Sequence, residues 1–295
     1  MVNIHEIYNY TIKRNIIILK RAGINLNEKS YFIIVVFLSF ILPIVLKYIM
    51  HLSSKSTVIL IVLYSLSILS IPSIMYESKI EKFERNLPKA LYVMILSLES
   101  GRSVIDAINE VINSGIKEVD VIFLKIVALM TEKKLSFEDS IILVSNSIDS
   151  KIFRQIGRLI IENRKHGGEL AEVLKTLAKT LEDLQNLKNQ LLSVTANGLA
   201  VGLIIICGVI PATAGIIGGY LNAISQVAPN IAAVTPEQLA KCMENVQIGT
   251  GIFGILFAVP IFGLKVNRMI ITCAFCMTFG LASFYGVYYL AKILF

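Results

Sequence analysis

The sequence predicts an all-α integral membrane protein with about five transmembrane helices and a cytoplasmic helical bundle inserted between spans 2 and 3. Two observations predict this fold. First, 34 of the 49 charged residues lie in one stretch, from Glu77 to Lys188. Second, the sequence on both sides of that stretch consists of long apolar segments, and about 20 mostly apolar residues suffice to span a bilayer as a helix.

Five apolar segments reach this length, and we place the spans at about 31–50, 57–76, 193–221, 246–264 and 269–290. Any one of them alone fits a core helix of a soluble protein, but five of full length favour a membrane. The chain then comprises a basic amphipathic cytoplasmic tail (1–30), transmembrane helices 1–2 (31–76), the cytoplasmic bundle (77–192) and transmembrane helices 3–5 (193–295).

Lys and Arg in the short flanking segments predict the orientation, because positively charged loops tend to stay in the cytoplasm. The tail 1–30 carries five of them, and the turn 265–268 carries two. The segment 222–245 carries only Lys241. We therefore expect a multi-pass protein of the cell membrane with a cytoplasmic amino terminus. The first apolar run begins about thirty residues in, so we expect it to remain as an anchor rather than a cleaved signal.

The net charge of +7 does not point to nucleic acid as a partner, since the stretch from Glu77 to Lys188 has 17 basic and 17 acidic residues. The surplus lies in the tail and near the membrane, where anionic lipid is the simpler partner. The tail is predicted to lie along the lipid headgroups as an amphipathic helix, with a partner-binding arm as the alternative. Its apolar residues are Ile4, Ile7, Ile12, Ile16 and Leu19.

Several classes of enzyme are excluded by missing residues. The chain has no Gly-Lys dipeptide, which a P-loop requires for binding phosphate. Its three His are scattered, and the pair Cys273 and Cys276 has no second pair to complete a zinc site. Spans 3–5 contain no acid, which disfavours an intramembrane aspartyl protease or an ion-coupled pump. We expect no catalytic residue, cofactor or metal.

Capping signals divide the charged stretch into helices. Ser103 with Asp106 and Ser136 with Asp139 mark helix starts, because a Ser side chain can accept from the backbone three residues later. The glycines are expected to end helices, at positions 101, 115 and 167–168. We predict that span 2 continues to near residue 86 and is followed by helices at 87–100, 103–114, 119–134, 137–148, 151–166 and 169–190. Connections this short favour a compact antiparallel bundle.

The last of these helices carries Leu170, Leu177, Leu184 and Leu191 at seven-residue spacing, with further leucines at 174 and 181. This spacing predicts a long apolar seam against another helix. Packing inside the bundle and a coiled coil between subunits both satisfy the pattern, and the first is the simpler interpretation. The helix is expected to run directly into span 3.

A basic face marks the helix before it. The basic residues recur at helical spacing opposite the apolar ones, with Glu162 the only acid in the segment. Such a face can dock an acidic cytosolic partner, and a solvated face or one touching lipid headgroups is the alternative. The basic residues are Lys151, Arg154, Arg158 and Lys165, and the apolar ones are Ile152, Ile156, Leu159 and Ile160.

Small residues in span 3 predict close packing of helices in lipid. Gly198 and Gly202 form one four-residue repeat, and Gly215 and Gly219 form a second. Packing within one subunit is a simpler interpretation than dimerisation. Proline at 211 and 260 lies within predicted spans and is expected to bend them.

Two places in the charged stretch carry a family resemblance. The first is Leu87-Pro88, Leu91 and Leu96 followed by Glu99-Ser100-Gly101-Arg102-Ser103-Val104 and Ala107-Ile108, and the second is Gly168-Glu169-Leu170 with Val173-Leu174. They resemble the type II secretion F family, the inner-membrane platform proteins of type IV pilus, type II secretion, tight-adherence and archaellum machines. The resemblance covers roughly 79–221. Only one helical domain is present, as in the single-domain archaeal-type members, whereas classical members carry two.

The resemblance implies a non-enzymatic scaffold in a filament assembly machine. Its implied partners are a cytoplasmic assembly ATPase, pilin-like subunits, a sister platform protein and further copies in a homo- or hetero-oligomer. ATPase contact would fall on the basic face and on the turn at Gly101 and Arg102. A transporter or channel with a cytoplasmic regulatory domain is the competing class. A membrane receptor is disfavoured, because segment 222–245 is too small for an external sensor.

Overall fold

The computed structural model describes residues 13–20, 23–24, 27–50, 52–163, 167–227 and 235–294. Within these ranges every regular element is a helix and no strand occurs, which confirms the all-α prediction. The helices are α1 (13–20), α2 (Glu28–Met50), α3 (Ser54–Glu99), α4 (Val104–Asn113), α5 (Asp120–Glu132), α6 (Phe137–Ser147), α7 (Lys151–Asn163), α8 (Gly167–Ile204), α9 (Ile210–Val227), α10 (Pro236–Phe262) and α11 (Val266–Leu294), with a π-helical turn at Ile205–Val209.

Among the described residues, five helical segments are long and apolar enough to cross a membrane, as predicted. They are Glu28–Met50, Ser54–Glu99, Leu170–Ile224, Lys241–Pro260 and Val266–Leu294. The chain divides into two compact units. We call Met1–Met75 with Leu192–Phe295 the membrane unit, and Tyr76–Leu191 the charged unit. Helices α3 and α8 each contribute residues to both.

The turn between α3 and α4 is determined by its own sequence. Gly101 has a φ of +78°, and the chain closes there with hydrogen bonds from Gly101 N to Leu98 O and from Arg102 N to Ser97 O, the Schellman pattern. Ser103 then caps α4 in a complete capping box with Asp106. The hydrogen bonds from the Ser103 side chain and backbone lower the pKa of Asp106, so the carboxylate stays ionised and keeps accepting them.

The predicted helix boundary near residue 86 is wrong, because α3 runs unbroken past Leu87 and Pro88. Proline has no backbone N–H, so Pro88 leaves the carbonyl of Glu84 without its usual helical donor. The side-chain amide of Gln185, on α8, donates to this carbonyl at 3.1 Å. A donor far away in sequence therefore compensates for the proline within the helix.

Phe153 of α7 lies at the centre of the apolar core of the charged unit. Its ring packs edge-on against Phe83 of α3, with centroids 5.2 Å apart, and lies 6.0 Å from the ring of Phe123 of α5. Ser150 fixes the start of this helix, since its hydroxyl accepts from Phe153 N and donates to a Glu84 carboxylate oxygen at 2.7 Å. Helix α7 is thus tied to α3 by both packing and hydrogen bonding.

The leucine seam of α8 is divided between two environments. Leu170, Leu174 and Leu181 are buried in the same core as Phe153, whereas Leu184 and Leu191 are exposed. Packing within the bundle therefore accounts for the first half of the seam only. The glycine pair at 167–168 lies in the first turn of α8 and does not end a helix as expected, while residues 164–166 lie outside the described residues.

In the membrane unit, the predicted span 3 contains the π-helical turn just before Pro211. Proline removes an N–H and its ring crowds the preceding turn, and one extra residue per turn relieves that crowding. The carbonyl of Gly208 in this turn accepts from the Ser283 hydroxyl of α11 at 2.9 Å. The helix is thus reshaped at the proline and held to α11 by a hydrogen bond between spans.

The glycines of span 3 differ in their surroundings. A Cβ added to Gly215 would lie 2.5 Å from the Phe284 backbone oxygen, and one added to Gly219 would lie 2.6 Å from the Ala291 Cβ. Gly202 is covered by the ring of Phe257, and a Cβ on Gly198 meets nothing within 4 Å. The second repeat therefore lies in close contact with α11, and Gly198 does not meet another described helix.

Polar side chains join α3 to α10 in the same unit. Gln247 is buried and donates to the Ser56 carbonyl at 3.2 Å, and Ser53 donates to a Glu244 carboxylate oxygen at 3.2 Å. Helix α10 begins ten residues earlier than the predicted span because Thr235 forms a capping box with Gln238 ahead of it. Much of the segment predicted as an outer loop, 222–245, is consequently helical.

The amino-terminal helix α1 differs from the expected headgroup-bound tail. Ile16 and Leu19 are buried in a cluster with residues of α2 and α3. Asn15 is also buried, and its side chain donates to the Tyr31 hydroxyl and to the Leu69 carbonyl. Protein atoms therefore cover the side chains that we assigned to lipid. The other predicted apolar positions, Ile4, Ile7 and Ile12, lie outside the described residues.

Replacing Gln185 by Leu should destabilise the chain by about 1 kcal/mol, because the Glu84 carbonyl loses its donor. In a Pro88→Ala background the restored N–H of residue 88 can supply that bond, so the same replacement should cost much less. Thermal unfolding of the four detergent-solubilised proteins measures this coupling. Equal losses from Gln185→Leu in both backgrounds would contradict the account of Pro88.

Replacing Gly215 by Leu should separate α9 from α11, because the new side chain meets a backbone oxygen that cannot rotate away; overpacking of this kind costs about 1–3 kcal/mol. Gly286→Leu is the matched control, since its Cβ meets no atom within 4 Å. The measurement is the fraction that remains monodisperse in detergent after heating. If Gly215→Leu tolerates heat as well as the control does, the contact is not close.

Candidate partner-binding surfaces

Helix α7 presents a basic surface and an apolar one. Phe153, Ile156 and Ile160 are buried in the core, while Lys151 and Arg158 are exposed. Gly157 lets the helix approach α6, since a Cβ there would lie 2.9 Å from an Ile141 methyl carbon. Packing of the apolar side against the core thus turns the two cations toward solvent.

The other members of the predicted basic face are placed differently. Arg154 is half-buried, and no described residue accepts a hydrogen bond from its buried Nε. Lys165 lies outside the described residues. Of the apolar residues that we predicted, Ile152 packs against the core and Leu159 lies at the edge of a groove. Phe153 was missed because a single aromatic residue between a cation and an isoleucine does not by itself indicate a core position.

That groove runs between α7 and α8 and has a volume of about 650 Å³. Leu159 and Asn163 line it from α7, and Glu172, Thr176 and Leu177 line it from α8. Both Thr176 and Thr180 donate their hydroxyls to carbonyls within α8. The groove thus combines the apolar side chains of Leu159 and Leu177 with polar ones, a lining that fits a peptide segment.

The turn at Gly101 is the second predicted contact with a partner. Gly101 has the positive φ of a helix end, and any side chain there would be strained although the space around it is open. Arg102 pairs with Glu110 at 3.0 Å, and both side chains are about half-exposed. The structure thus gives both residues a local role in ending α3 and starting α4. The ion pair itself contributes little to stability because water screens it.

A second groove lies in the membrane unit, between the π-helical turn and α10. It has a volume of about 530 Å³, and Ile206, Ile210, Val246 and Phe253 form most of its wall. Gly249 adds no side chain to it, and a Cβ built there would meet no atom within 4 Å. Polar side chains lie toward the start of α10, at Gln238, Lys241, Cys242 and Asn245. An apolar groove with one polar end fits the end of a transmembrane helix.

The side chains that bind metals are scattered in the part of the chain that the structure describes. No three side chains of His, Cys, Asp or Glu there lie close enough to hold a metal ion. Cys207, Cys273 and Cys276 are buried and Cys242 is exposed, as the predicted spans imply.

Comparison with known proteins identifies the family. The model of the type II secretion system protein F family matches residues 90–218, which includes most of the charged unit and the start of the membrane helices after it. An uncharacterized protein of Methanocaldococcus jannaschii is 51% identical over 284 residues, covering 95% of each chain. No solved structure matches. The chain belongs to the type II secretion system protein F family.

Proposed function

We propose that this chain, which at the family level is a membrane platform protein of secretion or pilus-type machinery, couples a cytoplasmic assembly ATPase to the insertion of pilin-like subunits into a filament. The observation that carries the proposal is the family match at 90–218, which includes the basic face of α7 and the helix that leads into the membrane. The role is that of a non-enzymatic scaffold.

The orientation follows from the charges. Lys265 and Arg268 in the short turn between α10 and α11 favour the cytoplasmic side, as do the cations of the amino-terminal tail. The charged unit then lies in the cytoplasm, where an ATPase can reach it. A sister platform protein is a further expected partner, because this chain has one helical domain where classical family members carry two.

The docking face for the ATPase is the basic side of α7, with the turn at Gly101 and Arg102 as a second contact. The exposure of Lys151 and Arg158 supports this choice, since solvated cations can pair with an acidic surface without first losing an internal partner. The adjoining groove between α7 and α8 gives the same partner an apolar contact. Arg102 contributes less, because it already pairs with Glu110.

The pilin-like subunit is expected at the apolar groove of the membrane unit. Such a subunit must hold an apolar helix in the bilayer before it enters a filament, and the wall formed by Ile210, Val246 and Phe253 offers that helix a packing surface. The polar end of the groove offers the side-chain amides of Gln238 and Asn245 to groups at the end of the incoming helix, whereas Lys241 already pairs with Glu237 at 3.0 Å.

Reversing the charges at Lys151 and Arg158 together should remove the ATPase from a crosslinking pull-down from native membranes. We choose these two residues because both are exposed, whereas Arg154 is half-buried and its reversal would disturb the core. The matched control reverses Lys125 and Lys133, which are exposed on and after α5 and change the net charge equally.

ATPase recovery should fall about tenfold or more in the α7 variant alone, as expected when two close charge pairs become repulsive. Recovery that falls equally in both variants would indicate a general charge effect. Unchanged recovery would contradict the assignment of the basic side of α7 as the docking face, but it would not contradict the platform role. The absence of any ATPase or pilin under efficient crosslinking would contradict the proposed function itself.

Helix α8 is one continuous helix from Gly167 to Ile204, which supports a mechanical link between ATPase contact and membrane helices. A seven-residue Gly-Ser insertion after Gln190 should therefore abolish filament assembly, because a flexible segment does not transmit force. A seven-residue Ala-rich helical insertion is the control, since it adds equal length in two helical turns. Assembly and membrane insertion are both measured. Wild-type assembly with the flexible insertion would contradict the link.

A further inference from the structure

Helix α8 carries a row of exposed leucines after its buried half. Leu184, Leu187 and Leu191 are 58%, 54% and 60% exposed. They are flanked by polar residues, including Asp183 and Lys188, so this part of the helix is amphipathic rather than uniformly apolar. Large apolar side chains in a row on one helix, bordered by polar residues, typically mark an interface.

The row continues the leucine seam of α8 beyond the part that is buried inside the bundle. Leu170, Leu174 and Leu181 are buried there at 0%, 0% and 8% exposure. The exposed row begins three residues after the last of them and follows the spacing three, then four. Val194 continues this register and is exposed as well. The spacing is that of the a and d positions of a heptad, which seat against a second helix.

The charges beside the row select the orientation of that second helix. With Leu184 at position a and Leu187 at d, Asp183 occupies position g and Lys188 occupies position e. In a parallel pair, position g of one helix faces position e of the other, five residues further on. Asp183 of each copy would then face Lys188 of the other. An antiparallel pair would instead bring like charges together.

We propose that the row formed by Leu184, Leu187 and Leu191 is the contact surface of a parallel homodimer, and that its occupant is the same row of a second copy of this chain. Two copies inserted in one membrane with the same topology present this helix in the same direction, as the charges require. A short seam suffices, because confinement to a membrane raises the effective concentration of the two helices.

The first test is disulfide formation between differently tagged copies in native membranes, with Cys242 replaced by Ser to remove the exposed thiol. Facing d positions of a parallel pair lie within disulfide range, so Leu187→Cys should crosslink on mild oxidation. Asn186→Cys, at the neighbouring position c and equally exposed, is the control and should crosslink about tenfold less.

The second test uses complementary charges. A chain with Asp183→Lys has cations at both positions 183 and 188, and a chain with Lys188→Asp has anions at both. In a homodimer of either variant, residue 183 of each copy therefore repels residue 188 of the other. Leu187→Cys crosslinking should fall about tenfold in each variant expressed alone, and mixed dimers should recover it when the two are expressed together. Effects within one chain cannot produce this recovery.

Three results would overturn the proposal. The first is crosslinking of Leu187→Cys no stronger than that of Asn186→Cys, which is the outcome if the row merely touches lipid. The second is failure of the mixed pair to recover crosslinking although both chains insert in the membrane. The third is a crosslink from Leu187→Cys to a different protein in place of a second copy. None of these results bears on the ATPase docking face, because Lys151 and Arg158 are unchanged in every variant.

Discussion

Glu84 is the residue at which three helices of the charged unit are joined by hydrogen bonds, through its backbone carbonyl and its carboxylate. Pro88 removes the helical donor of that carbonyl, and a buried carbonyl left without a hydrogen bond would destabilise the helix at this point. Gln185 supplies the missing bond from α8, and the Glu84 carboxylate accepts from Ser150 at the start of α7. Three helices thus meet at one residue, and the basic face of α7 takes its position from that junction.

The sequence predicted the parts of the fold that depend on local signals and missed the junction at Glu84. Local signals were sufficient where a cap and its helix lie within a few residues, as at Ser103 with Asp106 and at Gly101. The break expected before Pro88 was wrong because its remedy lies 101 residues along the chain, at a glutamine with no local signature. Composition alone was sufficient for the five spans, since bilayer thickness sets their length.

The candidate surfaces were predictable only in part, for a related reason. Helical spacing identified the cations of α7, but spacing does not tell that Arg154 is half-buried beside exposed Arg158. The leucine repeat of α8 predicted an apolar seam but did not identify the helix that packs against it. Only packing shows that the bundle uses the leucines up to Leu181 and leaves those from Leu184 exposed. In both cases the burial of a side chain depends on contacts with residues far away in the sequence, which a local pattern does not encode.

The division of α8 has a mechanical consequence for the proposed scaffold role. Its first half is held in the bundle by burial of Leu170 and Leu174, and its exposed row is available to another helix. A force applied at the basic face of α7 reaches α8 through the shared core around Phe153. If α8 also pairs with a second copy, that force acts on two chains at once, because a parallel seam resists sliding of one helix along the other. A dimer would therefore move as a unit, which fits the proposed coupling to an assembly ATPase.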